Sequence, residues 1–112
     1  MTNGKKKGGS LPYKKGATFE RLVLRHYESA GFLCVRQPKS QSPFDLIAVR
    51  RTVRHLVQCK LGGKIGLQEK EELREVCEKF HFSPVLAWKE NGEIRLKYLD
   101  EEEQSLDLSS IR

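Results

Sequence analysis

Two short segments combine an acid, an amide and a cationic side chain at a spacing that suits metal-assisted chemistry. Asp45 stands early in an almost continuous apolar run over residues 44–49. A carboxylate is costly there unless it is paired, hydrogen-bonded or bound to a cation. Gln58-Cys59-Lys60 follows after twelve intervening residues, and strand alternation places Gln58 and Lys60 on one face with Cys59 on the other. If the two runs pair as a hairpin, these groups converge at one edge of a sheet.

This set of groups suits the hydrolysis of a phosphodiester. A hard divalent cation takes oxygen ligands, here from Asp45, the Gln58 side-chain carbonyl and the Cys59 backbone carbonyl. Such a cation polarises a phosphate and lowers the pKa of a bound water. Lys60 would position that water, act as its base, or offset charge on the phosphate. Glu20, near the edge of the apolar face of the first predicted helix, could reach the same cation directly or through a water.

Each of these residues also has a purely structural interpretation. Asp45 can cap a turn after Pro43, although the apolar run that follows argues against this. Lys60 can protect a strand edge from pairing with another chain. Glu20 on a charged helix is by default solvated.

A zinc site is not favoured by the sequence. Cys77 and His81 are four residues apart, but Cys77 lies on the apolar helical face and no matching pair of ligands stands elsewhere. His26 and His55 are interpreted as surface or boundary residues. The odd number of cysteines within apolar patterns predicts reduced thiols and an intracellular protein, in the cytoplasm or nucleoid or in a host cytoplasm if viral.

Periodicity predicts helices and strands in a mixed order. Helical spacing covers 17–29 and is ended by Gly31. A Pro- and Ser-rich loop occupies 37–43, and Asn91-Gly92 is a strong tight-turn signal. The second helix is predicted at 67–80, and strands at 31–36, 44–49, 53–61, 84–88 and 94–98. This order predicts an α/β fold in which helices cover a mixed sheet of about five strands.

Charge divides the chain into three parts. Residues 1–15 hold five lysines and no acid, and 99–112 hold five acids against one arginine. The first segment is predicted to be a flexible basic arm and the last a frayed acidic tail, with a single domain at 16–98. That domain keeps a net charge of about +5, which indicates a polyanionic partner such as nucleic acid. No apolar run is long enough to span a membrane, so no membrane association is expected.

The ordered motifs resemble a known nuclease superfamily. Asp followed by Glu/Gln-X-Lys on the next strand is the signature of the PD-(D/E)XK nucleases, with their restriction-endonuclease-like fold. Further motifs resemble the archaeal-type Holliday junction resolvases over residues 14–98. They are Lys15-Gly-Ala-Thr-Phe-Glu20-Arg21, Gly31-Phe-Leu-Cys-Val-Arg36, Asp45-Leu-Ile-Ala48, the Lys60 strand, a helix ending in Phe80, and Pro84-Val-Leu-Ala-Trp-Lys89.

The resemblance implies an activity and its participants. It implies a homodimeric endonuclease that resolves four-way DNA junctions by paired nicking, with Mg²⁺ as cofactor and Mn²⁺ as a substitute. Glu20, Asp45, Gln58 and Lys60 would form the catalytic set, and a loop serine would assist at the cleaved phosphate. Ser40 is preferred over Ser42 for that role. The residues expected to contact DNA phosphates are Lys14, Lys15, Arg21, Arg36, Lys39 and Lys64, with the arginine-rich turn at 50–54 as a second contact or a solvated hairpin tip.

One residue departs from the resolvase pattern. Gln58 stands where these enzymes usually have glutamate, and a neutral amide binds Mg²⁺ more weakly because it contributes no charge. Restriction-type relatives with Gln-X-Lys are considered active, which favours an active site here. The alternatives are a catalytically silent DNA-binding module and another restriction-like nuclease of the same fold, which would cut plain duplex at comparable rates.

Overall fold

The predicted α/β fold is confirmed, with six strands in place of about five. The computed structural model describes residues 7–37 and 42–111, with side chains from residue 16 onward. The elements are α1 (Lys7–Ser29), β1 (Leu33–Arg36), β2 (Leu46–Arg50), β3 (Val53–Cys59), α2 (Leu67–Phe80), β4 (Ser83–Glu90), β5 (Glu93–Tyr98) and β6 (Ser105–Leu106), followed by a 3-10 turn, Leu108–Ser110. Within these ranges no helix is both long and apolar enough to cross a membrane.

The six strands form one mixed sheet in the order β1-β2-β3-β4-β5-β6. The β3–β4 pair is parallel, and the other neighbours are antiparallel. A parallel pair needs a crossover connection, and α2 supplies it between β3 and β4. The β2–β3 hairpin pairs Leu46 with Val57, which is the register that the sequence predicts for the Asp45 and Gln58 segments.

The two helices cover opposite faces of the sheet. On α1, Phe19, Val23 and Tyr27 repeat every four residues and are all buried against one face. On α2, Leu73 and Cys77 are buried against the other face, in a second cluster. Side chains on alternate residues of the central strands therefore enter two separate cores, and Cys59 packs against the α1 cluster as predicted.

The first helix begins ten residues before its predicted start at residue 17. Residues 7–15, predicted to be part of an irregular basic arm, belong to α1. Extending an existing helix costs far less free energy than nucleating one. The amphipathic segment that follows therefore allows the helix to extend backwards through residues that are rich in glycine and lysine. The predicted end is confirmed, because α1 stops at Ser29 and Gly31 adopts a φ of 88°, a conformation that glycine tolerates best.

The acidic tail is folded, which corrects the prediction that it frays. Leu99 and Leu108 are buried, and β6 pairs with β5. The Glu103 carboxylate lies 2.8 Å from Lys70 Nζ and 3.0 Å from Lys97 Nζ, and these two cations lower its pKa to about 2. The acidic residues suggested a solvated segment. Instead, Leu99 and Leu108 each pack into one of the two cores, and the ion pairs of Glu103 bind the tail to α2 and β5.

Two of the three arginines of the 50–54 turn have structural contacts. Arg50 donates hydrogen bonds to the Ala30 and Ile111 carbonyls at 2.7 and 2.6 Å. Arg54 donates to the His81 and Phe80 carbonyls at the end of α2. These contacts satisfy carbonyls that a helix end leaves without partners. They favour a structural role for this turn over a second DNA contact.

His55 is buried, so its assignment to the surface or boundary is wrong. Its side chain is 1% exposed, and its Nδ1 and Nε2 each lie 3.0 Å from a tyrosine hydroxyl, of Tyr27 and Tyr98 respectively. Odd-numbered residues of β3 face the α1 core, so this polar residue enters it with a partner for each ring nitrogen. Burial lowers its pKa from the ordinary 6.5 to about 4.

His55 is expected to make folding sensitive to mild acid. Because its folded pKa lies below its unfolded value, the unfolded chain takes up the proton first as pH falls. Its contribution to stability is therefore complete above pH 6.5 and declines as the pH falls towards 4, by up to about 3 kcal/mol. The measurement is urea unfolding from pH 7.5 to 4.5 for the wild type and His55→Gln. Glutamine can bond both hydroxyls without titrating, so parallel stability curves would contradict the prediction.

Candidate active site

The backbone holds Asp45 at the junction of three strands. Its N–H donates to the Val57 carbonyl at 2.7 Å, and its carbonyl accepts from the Gln37 N–H at 2.7 Å. Its side-chain Oδ2 accepts from the Cys59 N–H at 2.8 Å. One step beyond the last paired residues of the hairpin, the register places Asp45 opposite Gln58. The predicted convergence of the two segments is therefore confirmed.

The Asp45 carboxyl is in an environment that disfavours its charge. Burial raises its pKa from 3.8 to about 6, although the hydrogen bond from the Cys59 N–H opposes this. The negative charges of Glu20 and Glu69 raise the pKa further, and the Lys60 ammonium lowers it. These three charged groups from three different elements are thus close enough to act on one carboxyl. A nearby divalent cation would reverse the penalty of burying the charge.

Gln58 brings an unsatisfied oxygen to the same place. The side chain is 8% exposed, and among the described residues its buried Oε1 has no hydrogen-bond partner. A buried amide oxygen without a partner is uncommon in folded proteins and often indicates an ion or water site. Its neighbour Cys59 directs a thiol to the α1 core, where burial raises its pKa. The Cys59 side chain is therefore a packing group, and only its backbone is available to the site.

Lys60 follows the last residue of β3 and is held by two other elements. Its N–H donates to the Ala87 carbonyl of β4 at 2.9 Å, and its Nζ lies 2.8 Å from Glu69 Oε2 on α2. Glu69 was not among the residues predicted for the site, so this contact was missed. The available signal was an acid in the first turn of the helix that follows the Lys60 strand.

Glu20 reaches the site from the opposite face of the sheet. It lies on α1, and its Oε1 accepts a hydrogen bond from Arg36 Nε at 2.7 Å. Both side chains are partly buried, so this ion pair is less screened than a surface pair. Arg36, predicted as a phosphate contact, thus orients a predicted catalytic residue.

Of the other residues predicted to contact DNA or to assist cleavage, some are exposed and others lie outside the described part of the chain. Arg21 and Lys64 are exposed, as phosphate contacts must be. Lys14 and Lys15 lie in α1, but their side chains are outside the described part of the chain. The preferred loop serine, Ser40, and the neighbouring Lys39 also lie outside the described residues. The other candidate, Ser42, accepts a bond from the Phe44 N–H at 3.4 Å and so supports the turn before Asp45.

The donor set fits a hard cation that prefers oxygen. It comprises the Asp45 carboxylate, the Cys59 backbone carbonyl and the Gln58 amide oxygen, which has no hydrogen-bond partner among the described residues, with Glu20 at the border of the site. In the described ranges no group of three or more His, Cys, Asp or Glu side chains could hold a metal ion; the oxygen donors around Asp45 include an amide. The chemistry of these donors matches Mg²⁺ or Mn²⁺ rather than zinc.

The sequence of this chain matches a known protein family over most of its length. The profile of the archaeal Holliday junction resolvase family, Hjc, matches residues 12–109. The chain belongs to the Hjc family. A curated Hjc relative, the crossover junction endodeoxyribonuclease Hjc of Methanocaldococcus jannaschii, is 37% identical over 86 residues. That match covers 73% of this chain and 64% of the relative, so it spans somewhat less than two thirds of that protein.

A solved Hjc structure has the same fold. Hjc of Archaeoglobus fulgidus, described as a Holliday junction resolvase from an archaeal hyperthermophile, superimposes with a TM-score of 0.67 at 22% identity. The superposition covers 76% of this chain and 73% of that one. At this level of identity the comparison shows the fold alone, which is a mixed sheet with two flanking helices. The resemblance drawn from the motifs alone is thereby confirmed at the level of family and fold.

Proposed function

We propose that this protein is a metal-dependent, structure-selective endodeoxyribonuclease that resolves four-way DNA junctions. The observation that carries the proposal is the position of Asp45 opposite Gln58, whose buried Oε1 has no hydrogen-bond partner among the described residues. Membership of the Hjc family and the name of the Methanocaldococcus relative support the choice of substrate. An intracellular location follows from a DNA substrate and from three free cysteines.

The cofactor we propose is Mg²⁺, with Mn²⁺ as a substitute. Asp45, Gln58 and the Cys59 carbonyl would hold the ion, with Glu20 as a direct or water-mediated ligand. When bound, it would polarise the phosphate and generate a nucleophilic water at neutral pH. The protein fixes the carboxylate with the Cys59 N–H and the carboxylate of Glu20 with Arg36. Both carboxylates are thus oriented by a hydrogen bond from a neighbouring strand.

Lys60 serves this chemistry as a fixed positive charge. Its ammonium donates to Glu69 at 2.8 Å, so this contact already engages it. Of the three roles considered from the sequence, this contact favours charge compensation at the phosphate over action as a base. The exposed Arg21 and Lys64 would bind flanking phosphates and provide affinity without base specificity.

The decisive experiment compares a labelled four-way junction with a matched linear duplex in Mg²⁺. Symmetric nicks in the junction, absent from the duplex, would support the proposal. Cutting of both substrates at comparable rates would identify a restriction-like nuclease of the same fold. Tight junction binding without cutting, even in Mn²⁺, would identify the silent DNA-binding module, which the amide at position 58 specifically favours because it removes one charge from the metal site.

We propose further that a second copy of the chain covers the part of the α2 face of the sheet that lies near the edge strand β1. On the α2 face, the α2 helix packs over β4, at a distance from the edge strand β1. Leu33 and Val35 of β1 face that side and are 67% and 53% exposed, and Phe80 at the end of α2 is 54% exposed. Apolar side chains on an edge strand favour pairing with another chain. A two-fold dimer would present two sites to the two opposed strands of a junction.

Leu33→Glu is expected to weaken such a dimer by about 100-fold or more in dissociation constant, because it places a charge in the centre of the apolar surface. Analytical ultracentrifugation measures the change, and paired nicking should give way to single nicks. Leu67→Glu is the matched control, since Leu67 is 68% exposed but lies at the other end of α2. A wild type that is strictly monomeric at working concentration and still makes paired nicks would refute the dimer.

A further inference from the structure

Glu69 makes two hydrogen bonds that join different parts of the site. Its Oε2 accepts from Lys60 Nζ at 2.8 Å, and its Oε1 accepts from the Gly66 N–H at 3.2 Å. Gly66 is the residue that precedes α2. One carboxylate therefore connects the ammonium after β3 to the first turn of the helix. The Lys60 contact is also the largest cause of the lowered pKa of Glu69.

The loop between Lys60 and α2 has a path that brings these two groups together. Gly63 donates its N–H to the Lys60 carbonyl at 2.7 Å and has a φ of 80°. A Cβ added to Gly63 would lie 3.2 Å from Cδ1 and 3.3 Å from Cγ of Trp88, which is closer than side-chain atoms normally approach. The loop thus lies directly on the Trp88 ring of β4. Glycine at this position lets the chain turn back so that α2 begins beside Lys60.

The glutamine at position 58 gives this contact particular weight. Gln58 and Lys60 share a face of the strand, and a carboxylate at position 58 would provide a neighbouring negative charge. The neutral amide provides none. The carboxylate that accepts a hydrogen bond from Lys60 belongs instead to Glu69 on α2. Lys60 carries a flexible four-carbon side chain whose ordering has an entropic cost, and a charge-assisted hydrogen bond offsets that cost.

We infer that Glu69 is the positioning residue of the site, which holds the Lys60 ammonium in place for the phosphate at which the nuclease acts. The hydrogen bonds of Glu69 are to Lys60 Nζ and the Gly66 N–H, so its hydrogen-bonded link to the site is through Lys60. This inference rests on the proposed nuclease function and adds a residue from α2 to a set otherwise drawn from α1, from β3 and from the residues that flank the β2–β3 hairpin.

The first test is the single-turnover cleavage rate of Glu69→Gln, measured at saturating protein, together with the junction dissociation constant. Glutamine keeps an oxygen for the Gly66 N–H but loses the charge that binds Lys60. We expect the rate to fall about 10- to 100-fold, the cost of a displaced catalytic group, while the dissociation constant stays within about twofold. Glu71→Gln, an exposed acid in the same turn of α2, is the control and should cleave like the wild type.

A double-mutant cycle separates positioning from a structural role. In a Lys60→Ala background, adding Glu69→Gln should leave the residual rate unchanged, because the group that Glu69 holds is absent. A second multiplicative loss in that background would overturn the inference. So would a Glu69→Gln enzyme that cleaves at the wild-type rate, or faster, or one that loses junction affinity in proportion to rate.

Gly63→Ala gives an independent test without touching either charge. The added methyl group would meet Trp88 and displace the loop, so the cleavage rate should fall while binding remains. If Gly63→Ala cleaved at the wild-type rate, the packing of this loop on Trp88 would not be what places Glu69 beside Lys60. The inference and the proposed function fail in different ways: a wild type that does not cut junctions refutes the function, whereas a cutting wild type with unaffected Glu69 variants refutes only the inference.

Discussion

Asp45→Asn is expected to lower the rate of junction cleavage by at least about 10³-fold, because it removes the one carboxylate held at the centre of the donor set. In the wild type, the Asp45 carboxylate accepts a hydrogen bond from the Cys59 N–H at 2.8 Å. Asparagine keeps the shape of the side chain and an oxygen that can accept the same bond. Junction affinity should persist, since the change removes a negative charge from a surface that binds phosphates. Single-turnover cleavage and binding, measured on the same junction, test both parts.

The same substitution is expected to stabilise the metal-free protein. Burial raises the folded pKa of Asp45 to about 6, above its unfolded value, so the ionised form opposes folding at pH 7–8. Asparagine removes that cost, and the urea-derived free energy of unfolding should rise by about 1–2 kcal/mol after allowance for partial exposure. A variant that is both inactive and destabilised would indicate that Asp45 is a structural cap and would refute its proposed role as a ligand.

Gln58→Glu is expected to reduce the Mg²⁺ concentration needed for half-maximal cleavage by about tenfold or more, because the substitution adds a full charge to the donor set. The buried Oε1 of Gln58 has no partner among the described residues, so a carboxylate oxygen can take its place without breaking a described hydrogen bond. Titration of cleavage against Mg²⁺ measures the effect. Without metal, the new carboxylate beside Asp45 should destabilise the fold, since like charges disfavour ionisation.

A matched variant determines whether the amide itself is functional. Gln58→Leu has a similar volume but no oxygen, and it should cost about 100-fold or more in cleavage if the amide is a ligand. If the wild type cuts, and the leucine variant cuts equally well, the amide contributes nothing to the metal site. If the wild type is silent and the glutamate variant cuts, position 58 is where activity was lost.

The arrangement of Asp45 and Gln58 was predictable because it depends on local rules. Strand alternation fixes which residues share a face, and a short hairpin fixes the register, so Asp45 had to lie beside the Gln58 strand. Helix α2 was predicted with the bounds observed, 67–80, since its apolar period is regular. Family motifs, rather than physical patterns, drew attention to Glu20, because an acid on a charged helix carries no signal of its own.

The parts that were missed depend on long-range contacts. His55 is paired through the sheet with Tyr27 and Tyr98, residues 28 and 43 positions away, and a single histidine in a polar segment gives no sign of this. The tail was judged by its acids, although Leu99 and Leu108 are the residues that determine its position. Glu69 was not predicted, because the path of the loop over Trp88 decides what it contacts.

The hydrogen bond from the Lys60 N–H to the Ala87 carbonyl has a consequence for synthesis on the ribosome. All four residues of the proposed catalytic set precede residue 61, yet the strand that anchors Lys60 is β4, which includes Ala87. A nascent chain that has emerged only as far as Lys60 therefore contains every catalytic side chain without the framework that aligns them. Because domains fold as units once their chain is available, nuclease activity would arise only after β4 has also emerged. An incomplete chain would be harmless to the DNA around it.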